Sequence, residues 1–272
     1  QKFIKNIPDL ETLANFNDHK LVKLWEGLGY YSRVRNLKKT AQIVVKDFNK
    51  KLPSNFLELK SLPGIGDYTA SAISAIAFNK PFIPLDGNIE RVLKRYLYLK
   101  KEHQITKENL HQKKKIFGFT SRSSDYAQAL MELGALICKP NNPNCNLCPI
   151  STNCISFKNK DFVLNKIKKK KKVKYYLLKV FKKNQKYLVI KNTQFNFLKN
   201  FDIFPMQEVI KPKNFNKDLN IKISNMNMNI KIEYGNTTRS VTTPNWIDPQ
   251  NLQNYTLPTF TKKIVNYLEN HK

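Results

Sequence analysis

The chain has 272 residues, enough to bury one large core or two modest ones. Lys and Arg number 48 against 20 acidic residues, a formal charge of +28, which favours a polyanionic partner through counterion release. No run of about 18 apolar residues occurs and no secretory signal is read, so neither a spanning helix nor a secreted product is expected and the setting expected is cytoplasmic.

Part of the charge reflects a Lys- and Asn-rich composition of the kind an AT-rich genome produces, so charge alone does not establish nucleic-acid binding. The first residue is Gln, which predicts that the chain begins after the protein's natural N-terminus.

Residues 1–20 read as a helix end and a short second helix, with Leu10, Leu13 and Phe16 at core spacing. From 21 to 48 the helical pattern is strong: Leu21, Leu24 and Trp25, then Val34, Leu37, Ala41, Ile43, Val44 and Phe48. Gly27 and Gly29 interrupt it, predicting two helices joined at Leu28-Gly29-Tyr30-Tyr31. Phe56, Leu57, Leu59 and Leu62 form a helix that ends in the turn Leu62-Pro63-Gly64-Ile65-Gly66. Pro63 fixes its own φ, while Gly64 and Gly66 allow positive φ and close approach of a ligand to the backbone. The helical stretch Tyr68 to Phe78 follows, so the turn aims free amides at whatever lies above that helix, which suits a phosphate. Asn79-Lys80-Pro81 stops it, and the apolar run Phe82 to Leu85 delivers Asp86-Gly87-Asn88 to a helix from Ile89 to Leu99. A polar helix near 107–117 and another from Tyr126 to Ile137 lead into Cys138.

From about Asp161 the character changes. The tract Asn165 to Lys174 is almost pure lysine and reads as a solvated linker. The segments 175–183 and 186–192 read as two strands of one hairpin turned at Asn184, Phe197 to Val209 as loop, 219–233 as alternating strand, and Pro258 to Leu268 as a closing helix. The expected fold class is multidomain, α and α+β: an all-α part over 1–160, a linker over 161–174 and an α+β domain over 175–272.

The four cysteines stand as Cys138-x6-Cys145-x2-Cys148-x5-Cys154. Four thiols in one Pro-rich loop point to a metal centre in a reducing compartment, either an iron–sulfur cluster or a four-thiolate zinc. Asp86, read locally, caps the helix that follows it, and Asp67 matches the dipole of its own helix start. His19, His103, His111 and His271 are scattered in polar surroundings and read as surface residues; Glu26 and Glu132 receive no role.

The stretches LWEGLGYYSRVRNL (24–37), LPGIGDYTASAISAI (62–76) and LDGNIERVL (85–93), together with the cysteine loop, resemble the MutY adenine glycosylase branch of the helix-hairpin-helix DNA glycosylases, from Gln1 to about Cys154. The resemblance implies an all-α helix-hairpin-helix glycosylase domain whose Cys138, Cys145, Cys148 and Cys154 hold a structural [4Fe-4S] cluster. It implies that Asp86 stabilises the cationic sugar formed as the N-glycosidic bond breaks, and that Asn88 positions Asp86 or the attacking water. Tyr68 stands where the related endonuclease III branch carries a Schiff-base lysine, so base removal without efficient strand nicking is expected. Leu28, Gly29 and Tyr30 match the segment that wedges into the duplex, and Pro63, Gly64, Ile65 and Gly66 the turn that grips the strand. Arg33 and Arg35 either contact phosphate or are ordinary surface residues.

The implied partner is double-stranded DNA with adenine opposite 8-oxoguanine or guanine, bound by a monomer at the bacterial nucleoid, with no membrane association. The C-terminal part occupies the place of the family's Nudix-like domain, and FLKNFDIFPMQEV (197–209) resembles that domain's segment ending in Phe-Pro. The Phe-Ser/Thr-His loop tied to oxidised-base recognition is not evident, its nearest candidate being Thr237-Thr238-Arg239-Ser240, and the acidic hydrolase signature is missing. The family's general-acid glutamate, in a glutamine-rich segment, has no counterpart in the sequence. The expectation is that the chain starts after it and is nearly inert alone, general acids being worth about 10²–10⁴-fold. Two rivals stay open: a glycosylase for mismatched thymine or uracil, and a catalytically dead DNA-binding remnant.

Overall fold

The structure, a computed structural model, describes residues 2–100, 106–164, 172–210, 214–235 and 244–271. It comprises two compact units, one of Asp9–Asn15 with Asn36–Lys168, the other of Gln1–Pro8, Phe16–Arg35 and Lys169–Lys272. Residues 165–171 of the expected linker, His103, and the segment Thr237 to Ser240 lie outside the described residues.

The first unit is helical. It holds α2 (Leu10–Asn15), the greater part of α4 (Ser32–Asp47), α5 (Phe56–Ser61), α6 (Asp67–Ile76), α7 (Gly87–Tyr96), α8 (Lys107–Lys113), α9 (Ser123–Glu132) and the short α10 (Ile155–Lys158). Asn55 and Thr106 cap α5 and α8 through their side chains, as the composition of those boundaries suggests. The buried face of α6 is Ala70, Ser71, Ser74 and Ala75, small enough for α9 to pack closely on it. Ile83, Ile89 and Leu130 form one buried cluster with Leu85 and Phe117 beside it; Leu93, Leu99 and Leu110 form another. Each such side chain contributes about 1.5–3 kcal/mol. These clusters fix both ends of the run that delivers Asp86. Beyond Glu132 the helix widens into a π turn, Leu133–Ile137, with the Cys138 amide donating back to Leu133 O at 2.7 Å.

The second unit joins α1 (Lys2–Asn6) and α3 (Asp18–Leu24) to a mixed-sheet fold. Its strands are β1 (Lys172–Val180), β2 (Lys182–Lys183), β3 (Lys186–Lys191), β4 (Asp202–Ile203), β5 (Met206–Val209), β6 (Leu219–Ile223), β7 (Met226–Tyr234) and β8 (Asn245–Ile247), followed by the helix α11 (Thr259–Asn270). One sheet runs β5-β1-β7-β6; in the other β3 pairs with β2, β4 and β8. The expected hairpin is corrected in one respect. Asn184 and Gln185, at φ 47° and 61°, do turn the chain, but the arm they pair with β3 is the short β2, while β1 pairs in parallel with β7 along its whole length. The segment read as loop, 197–209, contains β4 and β5. Phe201, Ile203, Phe204 and Met206 are buried in it, and burial of so many large side chains outweighs the break at Pro205. Tyr176, Leu178 and Val180 alternate inward on β1, as Met228 and Ile230 do on β7, and Phe260, Ile264, Val265 and Leu268 of α11 complete that core. Among the described residues no helix is long and apolar enough to cross a membrane.

Candidate active site

The turn between α5 and α6 is built as its residues dictate. Gly64 sits at φ +80°, and a Cβ there would stand 2.8 Å from the Asn36 Cβ. Thr40 Oγ1 donates to Pro63 O at 2.9 Å, and the Ile65 amide donates to Leu62 O at 3.1 Å, so α4 props the turn from behind. Lys60 and Asp67 pair across the hairpin at 2.6 Å. Gly66 is the N-cap of α6 and has no side chain to satisfy the first-turn amides, which leaves them for an anion. Gly64→Ala combines a left-handed backbone with a steric conflict. It is expected to destabilise the first unit by about 1–3 kcal/mol, read as a lowered midpoint in chemical unfolding.

Tyr68 lies in the first turn of α6 with 45% of its surface exposed, so it is a surface aromatic and not a core one. Asp86 is the N-cap of α7: its Oδ1 accepts from the Asn88 amide at 3.0 Å and the Ile89 amide at 2.7 Å. The helix therefore starts at Gly87, two residues before the expected start, because the cap and not the first apolar residue sets the boundary. Capping and a chemical role are compatible, since both backbone bonds fall on one oxygen of a half-buried carboxylate.

Asn88 is not a free surface residue. Its Oδ1 accepts from Arg91 Nη2 at 2.9 Å, and the π turn approaches so closely that a Cβ on Gly134 would stand 2.6 Å from the Asn88 Cβ. Arg91 also donates to Gly134 O at 2.6 Å and to Cys138 O at 2.7 Å. One turn further along α7, Arg95 is 3% exposed and donates to Lys139 O at 2.6 Å, Pro140 O at 2.8 Å and Phe162 O at 3.1 Å. Its Nη1 also lies 3.4 Å from Cys138 Sγ. The helix that starts at Asp86 is thus riveted to the cysteine loop by two arginines on one face. Sequence reasoning missed both; an arginine repeated at i and i+4 among the apolar positions of α7 was the available signal.

Cys138, Cys145, Cys148 and Cys154 line one cavity together with Arg95, Ile137, Phe157 and Phe162. All four are half-buried and none forms a disulfide. Burial pushes the thiols of Cys145 and Cys148 above their ordinary range. For Cys145 the neighbouring charges of Cys138, Cys154 and Cys148 push further the same way, and Arg95 opposes them. All four cysteines border this one cavity. Among the described residues no group of three or more His, Cys, Asp or Glu side chains is drawn in to the spacing of a single ion. The donor set itself, four soft thiolates with a buried guanidinium beside them, suits a polynuclear iron–sulfur centre.

The junction between α3 and α4 belongs to the second unit. Gly27, Leu28, Gly29, Tyr30 and Tyr31 border a cavity of about 500 Å³, whose other walls include Phe197, Phe201, Ile221 and Phe260. Leu28 and Tyr30 are 61% and 69% exposed. Arg35 donates to Lys199 O at 3.0 Å and lies over the Phe201 ring, so it is engaged within the unit.

Comparison with known proteins agrees with this arrangement. Residues 1–116 match the family described as HhH-GPD superfamily base excision DNA repair protein. The adenine DNA glycosylase of Buchnera aphidicola subsp. Schizaphis graminum is 35% identical over 212 residues, which cover 75% of this chain and 60% of that protein. Its counterpart from subsp. Baizongia pistaciae is 40% identical over 192 residues, covering 69% and 55%. The human adenine DNA glycosylase is 38% identical over 154 residues, 54% of this chain and 28% of that protein. The chain thus spans little more than half the length of these bacterial relatives. Among solved structures, a thermostable thymine-DNA glycosylase superposes with a TM-score of 0.50 at 26% identity, over 58% of this chain and 74% of that one. An endonuclease III–DNA complex gives the same TM-score at 22% identity, over 58% and 73%, a likeness of fold alone. The helix-hairpin-helix turn, the Asp86 cap and this match identify residues 1–116 as a region of the HhH-GPD superfamily of base excision DNA repair proteins, in a chain similar to adenine DNA glycosylases of the MutY type.

Proposed function

We propose that the protein is an adenine DNA glycosylase that removes adenine mispaired with 8-oxoguanine or guanine in double-stranded DNA, acting as a monomer in the bacterial cytoplasm. The observation that carries this reading is Asp86: a half-buried carboxylate at a helix start, one oxygen spent on the cap, in a chain similar to named adenine glycosylases. In this reading Pro63, Gly64, Ile65 and Gly66 grip the strand through backbone amides, and Leu28, Gly29 and Tyr30 fill the gap left by the flipped base. Asp86 then faces the sugar as positive charge builds at C1′, and water completes the hydrolysis. Asn88, held by Arg91, positions Asp86. Tyr68 offers no amine, which supports base removal without strand cleavage.

Cys138, Cys145, Cys148 and Cys154 would hold a [4Fe-4S] cluster, which when bound supplies a cross-link for the loop and no open coordination position. Arg95 orients that loop by holding three of its neighbouring carbonyls. The mixed-sheet unit with α11 is read as a Nudix-like domain, and its 500 Å³ cavity, apolar with Arg35, Lys222 and Lys263 at its edge, suits the base opposite the adenine.

The test is a single-turnover reaction on duplexes containing A:8-oxoguanine, A:G, T:G and U:G pairs. Adenine is the base expected in the product, at whatever rate; release of thymine or uracil in preference to adenine overturns the reading.

A further inference from the structure

Tyr30 is held in a backbone conformation that a bulky residue seldom adopts. Its φ is 45°, in the left-handed region, and the residue is 69% exposed. A residue keeps such a conformation only where its surroundings over-determine it. Here the surroundings are specific. Trp25 closes α3, and its indole Nε1 donates to Gly29 O at 3.0 Å, the carbonyl directly before Tyr30. Arg33, in the first turn of α4, places its guanidinium carbon 5.6 Å from the Trp25 ring centre and 5.5 Å from the Tyr30 ring centre. The Arg33 amide donates to Tyr30 O at 2.8 Å, and Phe3 meets Trp25 edge-on at 5.7 Å. A cation thus lies within reach of two aromatic rings, one of them anchored and the other presented to solvent.

We propose that Trp25 and Arg33 are positioning residues that hold Tyr30 erect before DNA arrives, so that its ring enters the duplex without first being ordered. The proposal rests on Tyr30 acting as the inserting side chain in the reading above. An exposed tyrosine on a glycine-flanked turn has several rotamers and a mobile backbone to restrict, and that ordering would otherwise count against insertion. The indole bond fixes the turn and the guanidinium fixes the ring. The rival role for Arg33 is a direct phosphate contact, which needs no Tyr30 at all.

The experiment compares binding of the full chain to two duplexes of one sequence. In the first, the A:8-oxoguanine pair is intact and a 2′-fluoro sugar blocks hydrolysis; in the second, a tetrahydrofuran abasic residue replaces the adenosine, so no base has to be unstacked. Arg33→Met and Trp25→Phe are each expected to weaken binding to the intact duplex by about threefold to tenfold, the scale of one or two exposed cation–π contacts, and to leave abasic binding nearly unchanged. Arg33→Met is expected to add nothing to Tyr30→Ala. An equal loss on both duplexes, with the slope of log Kd against log salt falling by about 0.9, assigns Arg33 to a phosphate and overturns the proposal. Should Trp25→Phe fail to fold, Arg33→Met, on the surface of α4, decides alone. If Tyr30→Ala itself binds both duplexes as the unsubstituted chain does, the insertion reading falls and the proposal with it. If Tyr30→Ala discriminates between them and Arg33→Met does not, only the proposal falls.

Discussion

Replacing Arg95 by methionine is expected to lower the melting temperature of the first unit by about 10 °C and, if the cysteine loop holds the proposed [4Fe-4S] cluster, to strip most of the iron and sulfide from the purified chain. Arg95 is 3% exposed, and its guanidinium serves Lys139 O, Pro140 O and Phe162 O. Methionine fills much of the volume but takes the donor from three carbonyls at a part-buried site, each bond to the charged guanidinium being worth on the order of 1.5 kcal/mol. A loss of about 3–5 kcal/mol in a unit of this size is what gives the temperature shift. The same substitution removes a guanidinium that lies 3.4 Å from Cys138 Sγ and that, in the iron–sulfur reading, would offset the negative charge of the ligand thiolates. Arg95→Lys keeps the charge but not the planar fork, so it is expected to fall between the two. Calorimetry with iron and sulfide analysis reads both effects. A Met variant that melts and loads as the unsubstituted chain does would detach Arg95 from the cysteine loop's stability.

The second large effect concerns Asp86. Asp86→Asn is expected to slow adenine release by about 10²–10³-fold, the scale for losing one preorganised electrostatic group at a developing charge, with little change in melting temperature. The reason lies in the cap. The bonds from the Asn88 and Ile89 amides go to a single side-chain oxygen, and asparagine is as good an N-cap as aspartate. The variant therefore keeps α7 in place while removing only the negative charge. Asp86→Ala removes both and is expected to cost a further ~1 kcal/mol of stability. Single-turnover kinetics beside thermal melts separates the two roles: if the Asn variant were as active as the parent, Asp86 would be a cap and nothing more.

Much of this site can be read from the sequence because its determinants are local. Pro63 and Gly64 write their turn through φ preferences, and Asp86 announces a helix start through side-chain chemistry. The cysteine loop is legible because four thiols within one short stretch have few other uses. The alternation in β6 and β7 is likewise visible as period two. What escapes the sequence is non-local. Arg91 and Arg95 find carbonyls more than forty residues away, and nothing in the spacing of α7 says that those carbonyls come to meet them. Gly134 looks like a helix-weakening residue until the π turn is seen pressing on Asn88. The parallel partnership of β1 with β7 is invisible for the same reason: a hairpin is the nearest pairing in sequence, but the long strand buries Tyr176, Leu178 and Val180 only by joining the other sheet. Arg33 reads as an ordinary surface arginine because both rings beside it come from a turn whose backbone sequence alone does not fix.

The central claim is that Asp86 presents negative charge to the deoxyribose at the moment the base departs. Binding measures this without requiring turnover: one duplex carries a cationic pyrrolidine residue in place of the adenosine, an otherwise identical duplex the uncharged tetrahydrofuran. The account predicts that the unsubstituted chain prefers the cationic duplex by about tenfold or more, the effect of one nearby opposite charge in a partly desolvated site, and that Asp86→Asn abolishes the preference while binding the neutral duplex as before. Equal affinity of the unsubstituted chain for both duplexes, or a preference that survives Asp86→Asn, would contradict it.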